Sequence, residues 1–154
     1  MGITTFVTLL VGVMLALIAF GTRVLENYLV KRDQQQDAAA ALRFELELNL
    51  GWLETIFDTR NYLRDEAWVG MKNKGWISYL PNPIPRQVIE VYDRLHGVNE
   101  LVHDLKERPT TEEERKSILE RGQPAAAELR RATATLTAQL GHHFPRLAKN
   151  FASS

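Results

Sequence analysis

Apolar residues are arranged along the chain in two regimes. From Ile3 to Phe20 they form an uncharged run, ITTFVTLLVGVMLALIAF. At a rise of about 1.5 Å per residue this run covers roughly 27 Å, close to the hydrocarbon thickness of a bilayer. The following turns keep an apolar stripe at Leu25, Tyr28 and Leu29. That is the pattern of a helix leaving a membrane through the interface, where Tyr is favoured and Arg23 can snorkel to the headgroups. Residues 1–30 therefore read as a transmembrane anchor with its interfacial turns.

After Lys31 the pattern changes. Residues 31–41, KRDQQQDAAAA, contain no Gly, Pro or β-branched residue and no apolar stripe, which predicts a polar helical stalk. The stripe begins at Leu42. Leu42, Leu46, Leu50, Leu53 and Phe57 recur at three- and four-residue steps, with Phe44, Leu48, Trp52 and Ile56 as a second row. Asn49 falls between the rows, and an edge position is the commoner one for asparagine. Asp58-Thr59 suits the start of a shorter helix reaching about Asn73, closed by Lys74 and a left-handed Gly75. Trp76 to Leu80 predicts a loop whose aromatics plug the fold, followed by a rigid turn at Pro81-Asn-Pro-Ile-Pro85.

The clearest stripe is Val88, Val91, Tyr92, Leu95, Val98, Val102 and Leu105, on a helix from about Arg86 to Glu107. Pro109-Thr110-Thr111 separates it from another helix, with a capping box at Thr111 and Glu114. Gly122-Gln-Pro124 is expected to break or kink that helix, which resumes from Ala125 with Leu129, Thr133, Leu136 and Leu140 inward. No segment alternates like a strand. The expected fold is all-α: a single N-terminal transmembrane helix continuing into an up-and-down bundle of about four helices over residues 42–141, with a tail at 142–154.

The membrane segment carries two further signals. Before Phe6 no side chain is basic, and the residues after the apolar core are bulky and basic rather than an Ala-x-Ala step, which favours an uncleaved anchor over a signal peptide. Arg23, Lys31 and Arg32 all lie on the C-terminal side, so the positive-inside rule places the N-terminus outside and the helical domain in the cytoplasm. Gly12, Ala16 and Ala19, at i, i+4 and i+7, share a face on which another membrane helix can approach closely.

Composition narrows the function classes. The 19 basic and 19 acidic residues balance, whereas a nucleic-acid-binding domain shows a basic excess on one face. With no cysteine, thiolate catalysis, disulfides and cysteine-based zinc sites are absent from the chain. His96 with Glu100, and His103 with Glu107, stand at i,i+4 on one helix; solvated surface pairs are the commoner meaning of that spacing. Glu45 and Glu47 diverge on a helix, and Glu112 to Glu114 sit in an exposed first turn, so neither set is expected to be buried for acid–base work. No phosphate loop or nucleophile elbow occurs. No cofactor or metal is expected.

Trp52, Trp68 and Trp76 are candidate anchors of a partner interface, because Trp is enriched at binding hot spots. These features favour a non-enzymatic, membrane-anchored accessory or scaffolding subunit. Its partners would be the lipid bilayer and an integral membrane protein or a second copy of itself, not nucleic acid. A single-pass sensor with a helical input domain is the main alternative, and a metal-dependent enzyme using the His96, Glu100 and His103 face is a third.

Overall fold

A computed structural model of the chain describes residues 3–108 and 111–144, with side chains described from Val11 onward. Met1-Gly2, Pro109-Thr110 and the tail beyond Phe144 lie outside the described residues. The elements are α1 (Ile3–Trp52), α2 (Ile56–Thr59), α3 (Glu66–Asn73), a 3-10 turn (Trp76–Tyr79), α4 (Ile84–Glu107) and α5 (Glu112–His143). Every regular element among the described residues is helical. The chain divides into two units, the first ending at Gln34 and the second beginning at Gln35.

The first unit is the apolar part of α1. The second is the packed domain, and its core starts earlier than the pattern of leucines suggests: Ala38 and Ala39 are buried, so part of the expected stalk is core. Alanine allows this because it carries too little side chain to register as an apolar stripe, yet it lets a neighbouring element lie close to the α1 backbone.

Three long helices dominate the second unit. Phe57 meets Gly122, Glu54 pairs with Arg130 and Arg43 lies beside Gly141, so α5 runs antiparallel to the end of α1. The bundle of about four helices is met only in part. The place of a fourth long helix is taken by a composite: the single turn of α2, an irregular strap over residues 60–65, the two turns of α3 and the 3-10 turn. The strap explains why no helix starts at Asp58. Arg60 adopts a left-handed conformation (φ 54°) that ends α2, and α3 begins only at Glu66.

The stripe on α4 matches expectation at every position, from Val88 to Leu105, with Ile84 added at its start. Gly75 takes the left-handed conformation (φ 67°) after α3, as its position beyond a basic last turn requires. Thr111 and Glu114 form the capping box: the Glu114 N–H donates to Thr111 Oγ1 at 3.2 Å, and the Thr111 N–H donates to Glu114 Oε2 at 2.8 Å.

The expected break at Gly122-Gln-Pro124 is not one; α5 continues through it. Pro124 is exposed, so the carbonyl it leaves unpaired can be met by water. Gly122 has another purpose. The Phe57 ring lies on the bare α5 backbone there, and a Cβ at position 122 would stand 2.4 Å from Phe57 Cζ. Gly122→Ala is expected to push the ring out and destabilise the domain by about 1–3 kcal/mol, despite alanine's better helix propensity. A thermal melt of the full chain in detergent checks the sign: a gain in stability would mean that Phe57 yields without loss.

Candidate functional site

Two regions carry features beyond ordinary packing: the apolar part of α1 and the joint that holds the strap and α3. In the first, the large apolar side chains from Val11 to Val30 are between 45% (Leu29) and 69% (Phe20) exposed. This helix is long and apolar enough to cross a membrane. The Thr22 hydroxyl on this helix is satisfied internally, since Thr22 Oγ1 donates to the carbonyls of Ile18 and Ala19 at 3.1 and 2.9 Å. Gly12, Ala16 and Ala19 are exposed on the same helix, and a Cβ added at Gly12 would meet nothing within 4 Å.

The second region is built from polar side chains that α1 and α4 send inward. Asn49 is 1% exposed, not at an edge. Its Oδ1 accepts from the Arg64 N–H at 2.9 Å and its Nδ2 donates to the Arg64 carbonyl at 2.8 Å. Asn99 on α4 does the same for Leu63, accepting from its N–H at 2.8 Å and donating to its carbonyl at 3.0 Å. The two amides thus replace the backbone hydrogen bonds that the strap gives up by leaving helical conformation.

Glu45 is the correction of most consequence. Expected at the surface, it is 5% exposed. Its Oε2 accepts from the Ala67 N–H in the first turn of α3 at 2.7 Å, and its Oε1 accepts from the Tyr92 hydroxyl. Asp65, at the N-cap of α3, makes no capping hydrogen bond of its own, so Glu45 caps that helix from across the core. Burial pushes the Glu45 carboxyl above the usual carboxylate range, against the pull of the hydrogen bonds from Ala67, Tyr92 and Trp68. Burial, with the Glu45 charge beside it, also pushes the Tyr92 hydroxyl up, so Tyr92 remains a donor. Glu47, two residues on, is at the surface and pairs with Arg43 at 2.7 Å. From sequence the pair looks alike; only the inward register of Leu42, Leu46 and Asn49 separates Glu45 from Glu47.

The three tryptophans have different surroundings. Trp68 is buried and stacks on Tyr92, with ring centroids 5.3 Å apart and planes at 15°. It belongs to the core rather than to an outer interface. Trp52 and Trp76 are half-buried against the core, and each has a cation over its ring, Arg64 at 5.2 Å and Lys74 at 4.4 Å.

The histidines of α4 face the strap. His96 Nε2 lies 3.0 Å from Asp65 Oδ2, and His103 Nδ1 lies 3.1 Å from the Tyr62 hydroxyl. Glu100 and His103 also form a Glu-x-x-His step, the spacing used in di-metal bundles, which the i,i+4 pairing obscures. Among the described residues no three His, Asp or Glu side chains are grouped to hold a metal ion. They line a shallow groove of about 580 Å³ together with Asn99, Asp104 and Arg108. A second groove, of about 630 Å³, lies between Phe57 and α5, with Leu119, Ala127 and Arg131 on its wall.

Chemically, the Glu45 joint is occupied by its own donors. Its carboxylate spans α1, α3 and α4 and acts as a fastening rather than as a free acid or base. No protein-family model, curated protein or solved structure matches this chain.

Proposed function

We propose that this protein is a non-enzymatic, membrane-anchored accessory or scaffolding subunit, with the N-terminus outside, the helical domain in the cytoplasm and an integral membrane protein or a second copy as partner. The observation that carries the proposal is the apolar part of α1, whose large side chains are exposed along their whole described length. At about 25 cal/mol per Å², such a surface is strongly unfavourable in water and is covered by lipid or by another apolar helix. Arg23, Lys31 and Arg32 support the orientation.

The test is gentle detergent extraction from the native membrane, followed by sizing and mass spectrometry. A stoichiometric partner, or a defined homo-oligomer, is the expected result. A monomer released by carbonate washing, without detergent, would overturn the membrane anchor and the proposal with it.

A sensor module is the second reading, favoured by one specific feature. Gln35, Glu45 and Asn49 of α1 each hold a point of the segment between Leu63 and Leu80: Gln35 Nε2 donates to the Tyr79 carbonyl, Glu45 binds Ala67, and Asn49 binds Arg64. A shift of α1 would therefore strain a defined segment. A small molecule that raises the thermal midpoint would favour this reading over a scaffold.

A further inference from the structure

We infer that the end of the helical domain at which α1 enters, the Gln35 end, is a contact face for the headgroup layer of an anionic bilayer. The inference rests on the membrane reading of α1 and extends it to the domain itself. Val30 is the last residue of the exposed apolar stretch, and the packed unit begins at Gln35. Five residue steps, even fully extended, reach at most about 18 Å. A tether of that length holds the Gln35 end of the domain within about 18 Å of the last apolar residue.

The contacts inside the domain identify what stands at that end. Gln35 binds the Tyr79 carbonyl, which places the 3-10 turn there. The pairing of Glu45 with Tyr92, and of Asn49 with a strap that Asn99 also holds, sets α4 running parallel to α1, so its first residues point the same way. The antiparallel α5 brings its last turn to the same end. The residues so gathered have the composition of a membrane interface, where Trp and Tyr sit at headgroup level beside Lys and Arg. Trp76 is half-buried with the Lys74 ammonium over its ring, Tyr79 is half-buried beside it, and His142 and His143 are exposed at the end of α5. The acids of the domain at this end are Asp37 on α1 and Glu90, which is neutralised by Arg86 at 3.0 Å. Within the domain, Lys72 and Lys74 outnumber the one unpaired acid, Asp37.

The absence of native cysteine makes the test direct, because a single introduced thiol labels uniquely. Three full-chain variants, Leu15→Cys, Ser78→Cys and Glu107→Cys, carry one fluorophore each. Leu15 lies in the apolar helix, Ser78 in the 3-10 turn, and Glu107 at the far end of the 24-residue α4. They are reconstituted in phosphatidylcholine vesicles with and without phosphatidylglycerol. One set contains a quencher on the headgroup and another a quencher on the acyl chain. The expected result is acyl-chain quenching at Leu15, headgroup quenching at Ser78 that is stronger in anionic vesicles and weakened by Lys74→Glu, and none at Glu107.

If Ser78 is quenched no more than Glu107, or equally in neutral and anionic vesicles, the inference is overturned while a quenched Leu15 leaves the anchor standing. An unquenched Leu15 overturns the anchor itself. A Ser78 label shielded only when a protein partner is added would assign this face to that partner instead.

Discussion

Glu45→Ala is expected to destabilise the helical domain by about 3 kcal/mol, a fall in thermal midpoint on the order of 10 °C. The substitution leaves the Ala67 N–H and the Tyr92 hydroxyl without their acceptor in a site that water reaches poorly, and each such loss costs about 1–3 kcal/mol. It also removes the side chain that caps α3 in place of Asp65. Glu45→Gln should behave differently. Its carbonyl can accept from Ala67, and its amide can donate to the Tyr92 oxygen if the hydroxyl turns.

The pH dependence follows from the direction of the shift. A carboxyl held above its unfolded value binds its proton more tightly in the folded state, so its contribution is fully present below the unfolded value, near pH 4, and declines as pH rises through the folded value. Gln does not titrate. The stability of Glu45→Gln relative to the native chain should therefore rise between pH 4.5 and pH 8, as read from melts of both proteins in the same detergent. A difference that stays flat, or runs the other way, would show that hydrogen bonding outweighs burial at this site.

The second large effect is expected at Asn49. Asn49→Ala removes both hydrogen bonds to Arg64 and opens a small void beside buried Leu46 and Leu53, for a cost of about 2–4 kcal/mol. Asn99, only half-buried, should cost less, because water can partly replace its amide. A local readout separates this from general destabilisation. Under native conditions the Arg64 amide should exchange with solvent much faster in Asn49→Ala, and the Leu63 amide in Asn99→Ala, while the amides of α4 near Val98 stay protected. Equal acceleration at all three would mean that the asparagines matter only to global stability. The two sites hold neighbouring residues of one strap, so a double-mutant cycle should show coupling between them.

These predictions centre on residues that pattern reading handles badly, and the reason is physical. The α4 stripe was fully legible because one helix face meets one core, so burial follows the 3.6-residue period directly. The apolar run before Phe20 was legible for a simpler reason, its lack of charge. The second row on α1 was legible only in part. Phe44 is 48% exposed, whereas Ile56 is buried because the helix has already ended at Trp52 and the chain has turned. The strap was invisible because the groups that make it possible are distant: Asn49 lies 15 residues from Arg64, and Asn99 lies 36 residues from Leu63. Gly122 looked like a helix breaker because its partner, Phe57, belongs to another element. Glu45 defies the pattern because a carboxylate is ordinarily at the surface, and nothing within its own helix reveals that α3 begins against it.

The antiparallel pairing of α1 with α5 has a consequence for how the domain is made. Leu42 and Leu46 leave the ribosome long before Leu129, Leu136 and Leu140, with which they share a core. Until α5 has been synthesised, the core face of α1 and the stripe of α4 cover each other only in part, and contacts between residues so far apart in sequence form late. A nascent chain halted before α5 should therefore expose both surfaces together and be held by chaperones or by the insertion machinery. The domain would close only once synthesis has passed Leu140, making the C-terminal half of that last long helix the part on which the folded form waits.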